Sequence, residues 1–237
     1  MRKSIKINAK RLWQREQQIG HIGDDPKGGV SRFAWTPEYR QAVELLTSWM
    51  EEAGMTVRMD TVGNLFGRYE GKNKHLAPVL TGSHLDTVPS GGCFDGLAGI
   101  MASLEAVMSM HERGEIPERP IEIVAFINEE ASQFLGGCFG SKAMAGQLLL
   151  DYTQTCRHRY TNQTLHDAML EFGMGLDPDN LQGSILRKED YYLFLELHIE
   201  QGRYLLQNGY PMAVVTSIAG IKQFYITING VSCHAGG

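Results

Sequence analysis

The sequence of 237 residues predicts an α/β fold: a mixed, mostly parallel sheet with helices on both faces. Three short apolar runs, at residues 77–80, 121–127 and 191–197, have the length and composition of buried strands. The second run, IEIVAFI, is apolar at almost every position, which is typical of a strand covered on both faces. Segments with apolar residues at helical spacing separate these runs, so strands and helices alternate along the chain.

Local signals place the remaining elements. Thr36 has the properties of a helix N-cap, and Pro37 suits the first turn of the helix that follows. A turn at residues 62–63 separates two further predicted strands. The predicted helices cover residues 4–20, 37–53, 97–111, 143–149 and 165–172, and the two further strands cover residues 55–60 and 64–69.

Composition excludes several classes of function. The 22 basic and 27 acidic residues give a net charge of −5 without a basic stripe, so no nucleic-acid partner is expected. No apolar segment approaches the roughly 18 residues of a membrane span, and the basic N-terminus lacks the apolar region of a signal peptide. The four cysteines form no C-x-x-C pair and are typical of reduced thiols. We therefore expect a soluble cytoplasmic protein with no membrane partner.

Polar residues with metal-binding chemistry follow the first apolar run. His84 and Asp86 lie two residues apart on an extended segment, so their side chains point the same way. One can bind a metal while its neighbour accepts a hydrogen bond from the imidazole. Asp95 lies in a glycine-rich loop, which is flexible enough to bring its carboxylate back toward the strand end as an oxygen ligand. Taken alone, this pattern also describes an ordinary strand-end histidine and a helix N-cap aspartate.

The same pattern recurs after the other two apolar runs. Glu129 and Glu130 follow the second run, where one carboxylate can bind a metal while the other acts on its bound water; a solvated acidic turn is the alternative. His198 follows the third run. Because the carboxyl ends of neighbouring parallel strands meet at one edge of a sheet, the three groups together predict a two-metal hydrolytic site.

Several motifs resemble those of a known family. They are, in chain order, residues 28–32 (GGVSR), 36–38 (TPE), 82–88 (GSHLDTV), 92–96 (GCFDG), 129–130 (EE), 139–142 (FGSK), 196–202 (ELHIEQG) and 234–236 (HAG). The chain thereby resembles the zinc-dependent aminoacylase/carboxypeptidase superfamily, in its N-carbamoyl-L-amino-acid hydrolase and allantoate amidohydrolase branch. His198 is the most diagnostic residue, since peptidase members usually carry an acid there. The resemblance implies a zinc-exopeptidase-like catalytic domain.

The resemblance also implies a cofactor, two divalent metal ions, which would be zinc or else manganese or cobalt. His84 and His198 would hold one ion, and Glu130 would hold the second. Asp95 would bridge the two ions. These four residues are the predicted metal ligands.

Three further residues receive roles from the resemblance. Asp86 would orient His84, and Glu129 would be the general base that takes a proton from the attacking water and passes it to the leaving nitrogen. His234 resembles a substrate-contacting histidine of a lid domain; a turn histidine after a strand is the alternative. The implied reaction is hydrolysis of a small ureido substrate, of the N-carbamoyl-L-amino acid, ureidopropionate or allantoate type, with release of ammonia and carbon dioxide.

Two departures from the family pattern matter. The allantoate branch commonly carries Gln-Arg after Gly220, whereas this chain has Ile221-Lys222, which favours a carbamoyl-amino-acid substrate. Family chains also continue for about another domain. We therefore expect an N-terminal portion of a homodimeric enzyme. Residues 1–210 would form the catalytic domain, and residues 211–237 would begin an α+β lid or dimerisation domain. The first strands of that second domain are predicted at 212–217 and 222–229.

The sequence leaves two other functions open. A truncated, non-catalytic remnant could bind one metal ion or none. A metallopeptidase or aminoacylase is a minor alternative, which the sequence context of His198 disfavours.

Overall fold

A computed structural model of the chain describes residues 6–220, 224, 226–234 and 236. The chain divides into two units, Met1–Ile199 and Glu200–Gly237. Every strand among the described residues belongs to the first unit. No helix in the described part of the chain is long and apolar enough to cross a membrane.

The elements follow the predicted alternation of strands and helices. The strands are β1 (Thr56–Met59), β2 (Leu65–Tyr69), β3 (Val79–His84), β4 (Ile121–Phe126) and β5 (Leu193–Leu195). The helices are α1 (Ala9–Gly20), α2 (Pro37–Glu52), α3 (Leu97–Glu112), α4 (Phe139–Met144), α5 (Tyr152–Thr155), α6 (Leu165–Phe172) and α7 (Tyr204–Asn208), with short 3-10 helices at Leu181–Ser184 and Lys188–Asp190.

The strands form one mixed sheet in the order β1-β2-β4-β3-β5. β3 pairs in parallel with both β4 and β5, whereas β1 with β2 and β2 with β4 are antiparallel. The predicted mixed sheet is confirmed, but parallel pairs do not outnumber antiparallel ones. One antiparallel pair, β1 with β2, is joined by the predicted turn at residues 62–63, where one Asp60 carboxylate oxygen accepts the backbone N–H groups of Val62, Gly63 and Asn64. Such a turn reverses the chain into an antiparallel hairpin.

Helix ends differ from the predictions where capping was not foreseen. α2 begins as predicted, because the Thr36 hydroxyl accepts the backbone N–H of Tyr39. α1 begins at Ala9 behind the N-cap Asn8, later than predicted, and residues 1–5 lie outside the described residues. α4 was predicted over residues 143–149 but covers Phe139–Met144. It ends early because the amides of Gly146 and Gln147 turn back to carbonyls within its last turn.

The main core lies on one face of the sheet, beneath α2 and α3. Its fully buried members include Leu46 and Met50 of α2, Ile100 and Leu104 of α3, and Ile123 of β4. A smaller cluster covers the opposite face, with Phe66, Leu80, Val124 and Phe126 packed against Met144, Leu186 and Tyr191. β4 is therefore covered on both faces as predicted, although the second face is covered by the end of α4 and irregular chain.

The second unit contains α7 but no strand among its described residues. The predicted strand over residues 212–217 is not observed. Of the predicted strand over residues 222–229, positions 222, 223 and 225 lie outside the described residues, and the others are not in a strand. An extended segment becomes a strand only when a neighbour accepts its backbone hydrogen bonds. None of the described residues does so here, so the strand predicted over 212–217 is wrong, and the strand predicted over 222–229 is absent from its described positions.

Gly82 of β3 provides a test of this packing. Its φ is 142°, and a Cβ there would collide with the backbone carbonyl oxygen of Val124 on β4. We expect Gly82→Ala to lower the free energy of unfolding by roughly 3 kcal/mol, measured by urea denaturation. Gly92→Ala is the control, since nothing lies within 4 Å of its added Cβ. Equal denaturation midpoints for the two variants would show that the central strands are not this closely packed.

The pH dependence of stability provides a second test. Burial raises the pKa of Glu16 from 4.5 to about 7, and the Arg32 charge opposes this shift only in part. The folded protein thus holds this proton more tightly than the unfolded chain. The contribution to stability is complete below pH 4.5 and is lost as the pH rises to about 7. We expect Glu16→Gln to flatten the pH dependence of the unfolding free energy between these values, whereas Glu38→Gln, at an exposed position, should leave it unchanged.

Candidate metal centre

The three parallel strands bring the predicted site residues to one edge of the sheet. β3 lies between β4 and β5, and all three run in the same direction. His84 is the last residue of β3, Glu129 and Glu130 follow the end of β4, and His198 follows the end of β5. The Ser83 hydroxyl donates a hydrogen bond of 2.5 Å to the Glu196 carboxylate, which joins the ends of β3 and β5.

His84, Asp95 and His198 form a first set of metal donors, each offering one ligand atom within 4.8 Å of the others. The Asp95 Oδ1 atom lies 3.7 Å from His84 Nε2 and 3.4 Å from His198 Nε2. Two ligands that each lie about 2.0–2.1 Å from a tetrahedral zinc ion are about 3.3 Å apart. The observed separations are therefore close to those of ligands sharing one metal ion.

The backbone fixes the tautomers of both histidines. His84 Nδ1 lies 2.9 Å from the Asp86 carbonyl oxygen, and His198 Nδ1 lies 3.0 Å from the Ile199 carbonyl oxygen. A carbonyl can only accept, so each Nδ1 carries a hydrogen, and the other ring nitrogen, Nε2, is the atom that lies near the Asp95 carboxylate and can bind a metal ion when it is deprotonated. The donor set therefore fits a divalent metal ion.

Gly96 allows the loop that carries Asp95 to approach β3. Its φ is 66°, and a Cβ there would lie 2.6 Å from ring atoms of His84. Only a residue without a side chain can therefore follow Asp95 at this point. The GCFDG motif at residues 92–96 owes its last glycine to this contact.

His84, Glu129 and Glu130 form a second set of donors, also within 4.8 Å of one another. The buried Asp86 carboxylate accepts the backbone N–H of Glu129 at 3.0 Å and that of Glu130 at 3.1 Å. The same carboxylate lies 4.0 Å from His84 Nδ1, whose hydrogen bond goes instead to the Asp86 carbonyl. Asp86 thus contacts the imidazole through its backbone and the glutamate turn through its side chain.

The Glu129–Glu130 turn has an uncommon backbone. Asn128 before it and Ala131 after it have φ values of 51° and 53°, and Cys138 has φ 59°. The backbone N–H of Cys138 donates to the Glu129 carbonyl at 2.8 Å, and that of Phe139 donates to the Asn128 carbonyl at 3.1 Å. Positive φ values at non-glycine residues persist only where the surroundings enforce them. Here the start of α4 and the Asp86 carboxylate hold the turn from two sides.

Crowded carboxylates determine the electrostatics of the site. Burial raises the pKa of Glu130, and the neighbouring charges of Glu129 and Asp95 raise it further. Burial also raises the pKa of Asp86. For His84, burial lowers the pKa, but Asp86 and Glu129 outweigh it and the net shift is upward. A bound cation would relieve this accumulation of negative charge.

Cys138 is a site residue that the sequence did not reveal. Its thiol donates a hydrogen bond of 3.3 Å to Glu129 Oε1. Burial raises the pKa of the thiol to about 11, and the Glu129 charge adds to the effect. The thiol therefore remains protonated near neutral pH and restricts the orientation of the Glu129 carboxylate. The four cysteines are free of disulfides.

His234 belongs to the second unit, where it is exposed. Its Nδ1 accepts the backbone N–H of Gly236 at 3.1 Å. Its contact with substrate remains a prediction. The ELHIEQG motif spans both units: His198 belongs to the first, which ends at Ile199, and Glu200 in the second accepts the backbone N–H groups of Tyr204 and Leu205 at the start of α7.

Comparison with known proteins identifies the family. Residues 80–229, which include the ends of all three parallel strands, match peptidase family M20/M25/M40. This match covers more than half of the chain, and the chain therefore belongs to that family. The family resemblance seen in the sequence motifs is confirmed.

The individual relatives agree with the predicted branch. An N-carbamoyl-L-amino acid amidohydrolase of Geobacillus stearothermophilus is 45% identical over 230 residues, which cover 97% of this chain and 55% of that protein. An allantoate amidohydrolase of Escherichia coli (strain K12) is 35% identical over 218 residues, covering 92% and 52%. A hydantoinase/carbamoylase family amidase of Burkholderia ambifaria has a crystal structure that superimposes with a TM-score of 0.79 at 38% identity, covering 87% of this chain and 49% of that chain. The chain thus spans about half the length of the relatives it matches.

The first set of donors can be tested by metal affinity. We expect His198→Ala to weaken zinc binding by more than about 100-fold, because removal of a direct ligand costs more than removal of an outer partner. The measurement is a competition titration with a chromophoric chelator. His166→Ala is the matched control, since His166 also lies beside a carboxylate, 3.3 Å from Asp179, but outside both donor sets. Equal affinities for the two variants would exclude His198 as a ligand.

Proposed function

We propose that this chain forms the metal centre of an amidohydrolase that cleaves the ureido C–N bond of N-carbamoyl-L-amino acids. The observation that carries this proposal is the meeting of two donor sets, which share His84, at the carboxyl edge of three parallel strands. Relatives named for carbamoyl-amino-acid and allantoate hydrolysis support the type of reaction.

We assign the metal ligands as follows. His84 and His198 would hold one ion, Glu130 would hold the other, and Asp95 would be shared between the two; His84, Asp95 and His198 lie close enough to hold a common ion. Bound zinc, manganese or cobalt ions would lower the pKa of water toward neutrality and polarise the substrate carbonyl. The two imidazoles are already oriented for this role by the backbone carbonyls that bind their Nδ1 atoms.

Glu129 is the proposed general base. Its backbone N–H donates a hydrogen bond to the Asp86 carboxylate, and its own carboxylate accepts a hydrogen bond from the Cys138 thiol. This fixed carboxylate takes a proton from the attacking water as the new C–O bond forms. It then gives the proton to the leaving nitrogen as the C–N bond breaks. The products are the amine of the amino acid and a carbamate, which decomposes to ammonia and carbon dioxide.

Substrate choice is the finer part of the proposal. The 45% identity to a carbamoyl-amino-acid amidohydrolase exceeds the 35% identity to an allantoate amidohydrolase, which supports the carbamoyl substrate. Ile221 and Lys222, whose identities favour the same substrate, lie outside the described residues. A substrate contact by His234, a homodimer and a cytoplasmic location belong to the same proposal.

A second candidate is a chain that binds metal without turnover. The observation that favours it is the pair of donor sets, which account for metal binding whether or not a substrate is turned over. Metal content after exhaustive dialysis, measured by elemental mass spectrometry, is the first experiment. Two ions per chain with turnover of an N-carbamoyl amino acid support the enzyme. Two ions without turnover of carbamoyl, allantoate or dipeptide substrates support the second candidate, and dipeptide hydrolysis would indicate a peptidase.

Replacement of Glu129 tests the mechanism. We expect Glu129→Gln to keep the metal content of the wild type but to lower kcat for ureido hydrolysis by about 10²–10⁴-fold, since the amide cannot accept the proton. The assay measures ammonia release at saturating metal. Glu118→Gln, at an exposed position, is the control. Unchanged turnover in Glu129→Gln would exclude this residue as the base.

A further inference from the structure

Arg32 is a buried cation to which the proposed mechanism gives no role. It ends the GGVSR motif, and its side chain is fully buried with 0% exposure. Its Nε donates to the Leu85 carbonyl oxygen at 2.9 Å. One of its terminal nitrogens donates to the carbonyl oxygens of Ile19 at 2.9 Å and Ile22 at 3.1 Å. Arg32 therefore ties the end of α1 to the segment that follows β3.

The Leu85 carbonyl lies between two residues of the metal centre, His84 and Asp86. The backbone of Arg32 also holds this segment: its N–H donates to the Thr87 hydroxyl at 2.9 Å, and its carbonyl accepts the Thr87 N–H at 3.1 Å. The Thr87 hydroxyl in turn donates to the Val30 carbonyl at 3.1 Å. Backbone contacts on one side and the guanidinium on the other thus fix the peptide groups around Asp86.

The charge of Arg32 suits this position but is costly for folding alone. Burial lowers its pKa to about 10, so the side chain remains charged at neutral pH. Its partners Ile19 and Ile22 lie at the C-terminal end of α1, where the helix dipole favours a cation. An apolar side chain would avoid the desolvation of a guanidinium, so core packing by itself does not explain an arginine here.

We propose that Arg32 is a positioning residue for the metal centre. By holding the Leu85 carbonyl, it sets the orientation of Asp86. That orientation serves two contacts: the Asp86 carbonyl binds His84 Nδ1, and the Asp86 carboxylate binds the N–H groups of Glu129 and Glu130. The effect of Arg32 on metal binding rests on the proposed function. Its effect on the turn at Glu129 and Glu130 does not depend on that proposal.

The experiment compares Arg32→Met with Arg15→Met in the full 237-residue chain. Arg15 is a matched control because it is also a buried arginine, on α1 itself, paired with Glu52 at 2.6 Å and lying over the Trp49 ring. Zinc affinity is measured at a temperature where circular dichroism shows both variants folded. We expect Arg32→Met to bind zinc about 10–100-fold more weakly than the wild type and Arg15→Met to bind within about twofold. Equal zinc affinities would overturn the proposal.

A second measurement needs no metal. Amide hydrogen exchange of Glu129 and Glu130 reports the contacts made by the Asp86 carboxylate. We expect at least about tenfold faster exchange in Arg32→Met than in Arg15→Met at equal global stability. Equal exchange rates in the two variants would overturn the proposal even if the wild-type chain binds no zinc. Faster exchange in Arg32→Met, together with a wild-type chain that binds no zinc, would count against the proposed function and not against the positioning role of Arg32.

Arg32→Lys and Thr87→Val serve as milder variants if Arg32→Met does not fold. Lysine keeps the charge but has a single nitrogen, which cannot replace both the Nε contact to Leu85 and the terminal-nitrogen contacts to Ile19 and Ile22. Valine removes only the hydroxyl that joins Arg32 to Val30. Both should accelerate exchange at Glu129 and Glu130 relative to Arg15→Met. Wild-type exchange in both variants would contradict a positioning role for Arg32.

Discussion

The buried carboxylate of Asp86 joins the ends of two neighbouring strands. It follows β3 directly and accepts the backbone N–H groups of Glu129 and Glu130, which follow β4. A carboxylate that is 99% buried must be satisfied locally, because desolvation otherwise favours its protonated form. The nearby His84 imidazole and the two backbone donors offset part of this desolvation, and the pKa of Asp86 remains raised. The relative position of the two donor sets depends on this one group.

The surrounding structure enforces this contact at some energetic cost. Asn128, Ala131 and Cys138 all have positive φ values around the glutamate turn. On the other side, Arg32 fixes the Leu85 carbonyl from within the core. Strained backbone and buried charge both reduce stability, so their concentration at one sheet edge agrees with selection for a binding or catalytic geometry. The large core under α2 and α3 supplies the stability that permits it.

Pattern and composition accounted for much of the fold and for the candidate metal donors that the structure brings together. The apolar runs located β3, β4 and β5. β4 is apolar at almost every position because both of its faces are covered. β5 lies at the edge of the sheet and is exposed at all three residues, so its prediction as a buried strand was wrong. The predicted start of α2 was confirmed because its N-cap signal is local. The extent of α4 was wrong because its boundaries depend on Cys138 and on a C-terminal turn whose hydrogen bonds no periodicity predicts. The antiparallel pairing of β2 with β4 depends on the order of strands across the sheet, which the predicted turn at residues 62–63 does not fix.

The sequence by itself determined which residues could form a metal centre, because His84, Asp95, Glu129, Glu130 and His198 stand at strand ends and in a glycine-rich loop. Only the tertiary structure decided how they are held. It directed the Asp86 carboxylate to the glutamate turn instead of the imidazole, brought the Cys138 thiol to Glu129, and placed Arg32 behind Leu85. These contacts join residues that are distant in sequence, or depend on backbone orientation. Neither property leaves a periodic signal in a single sequence.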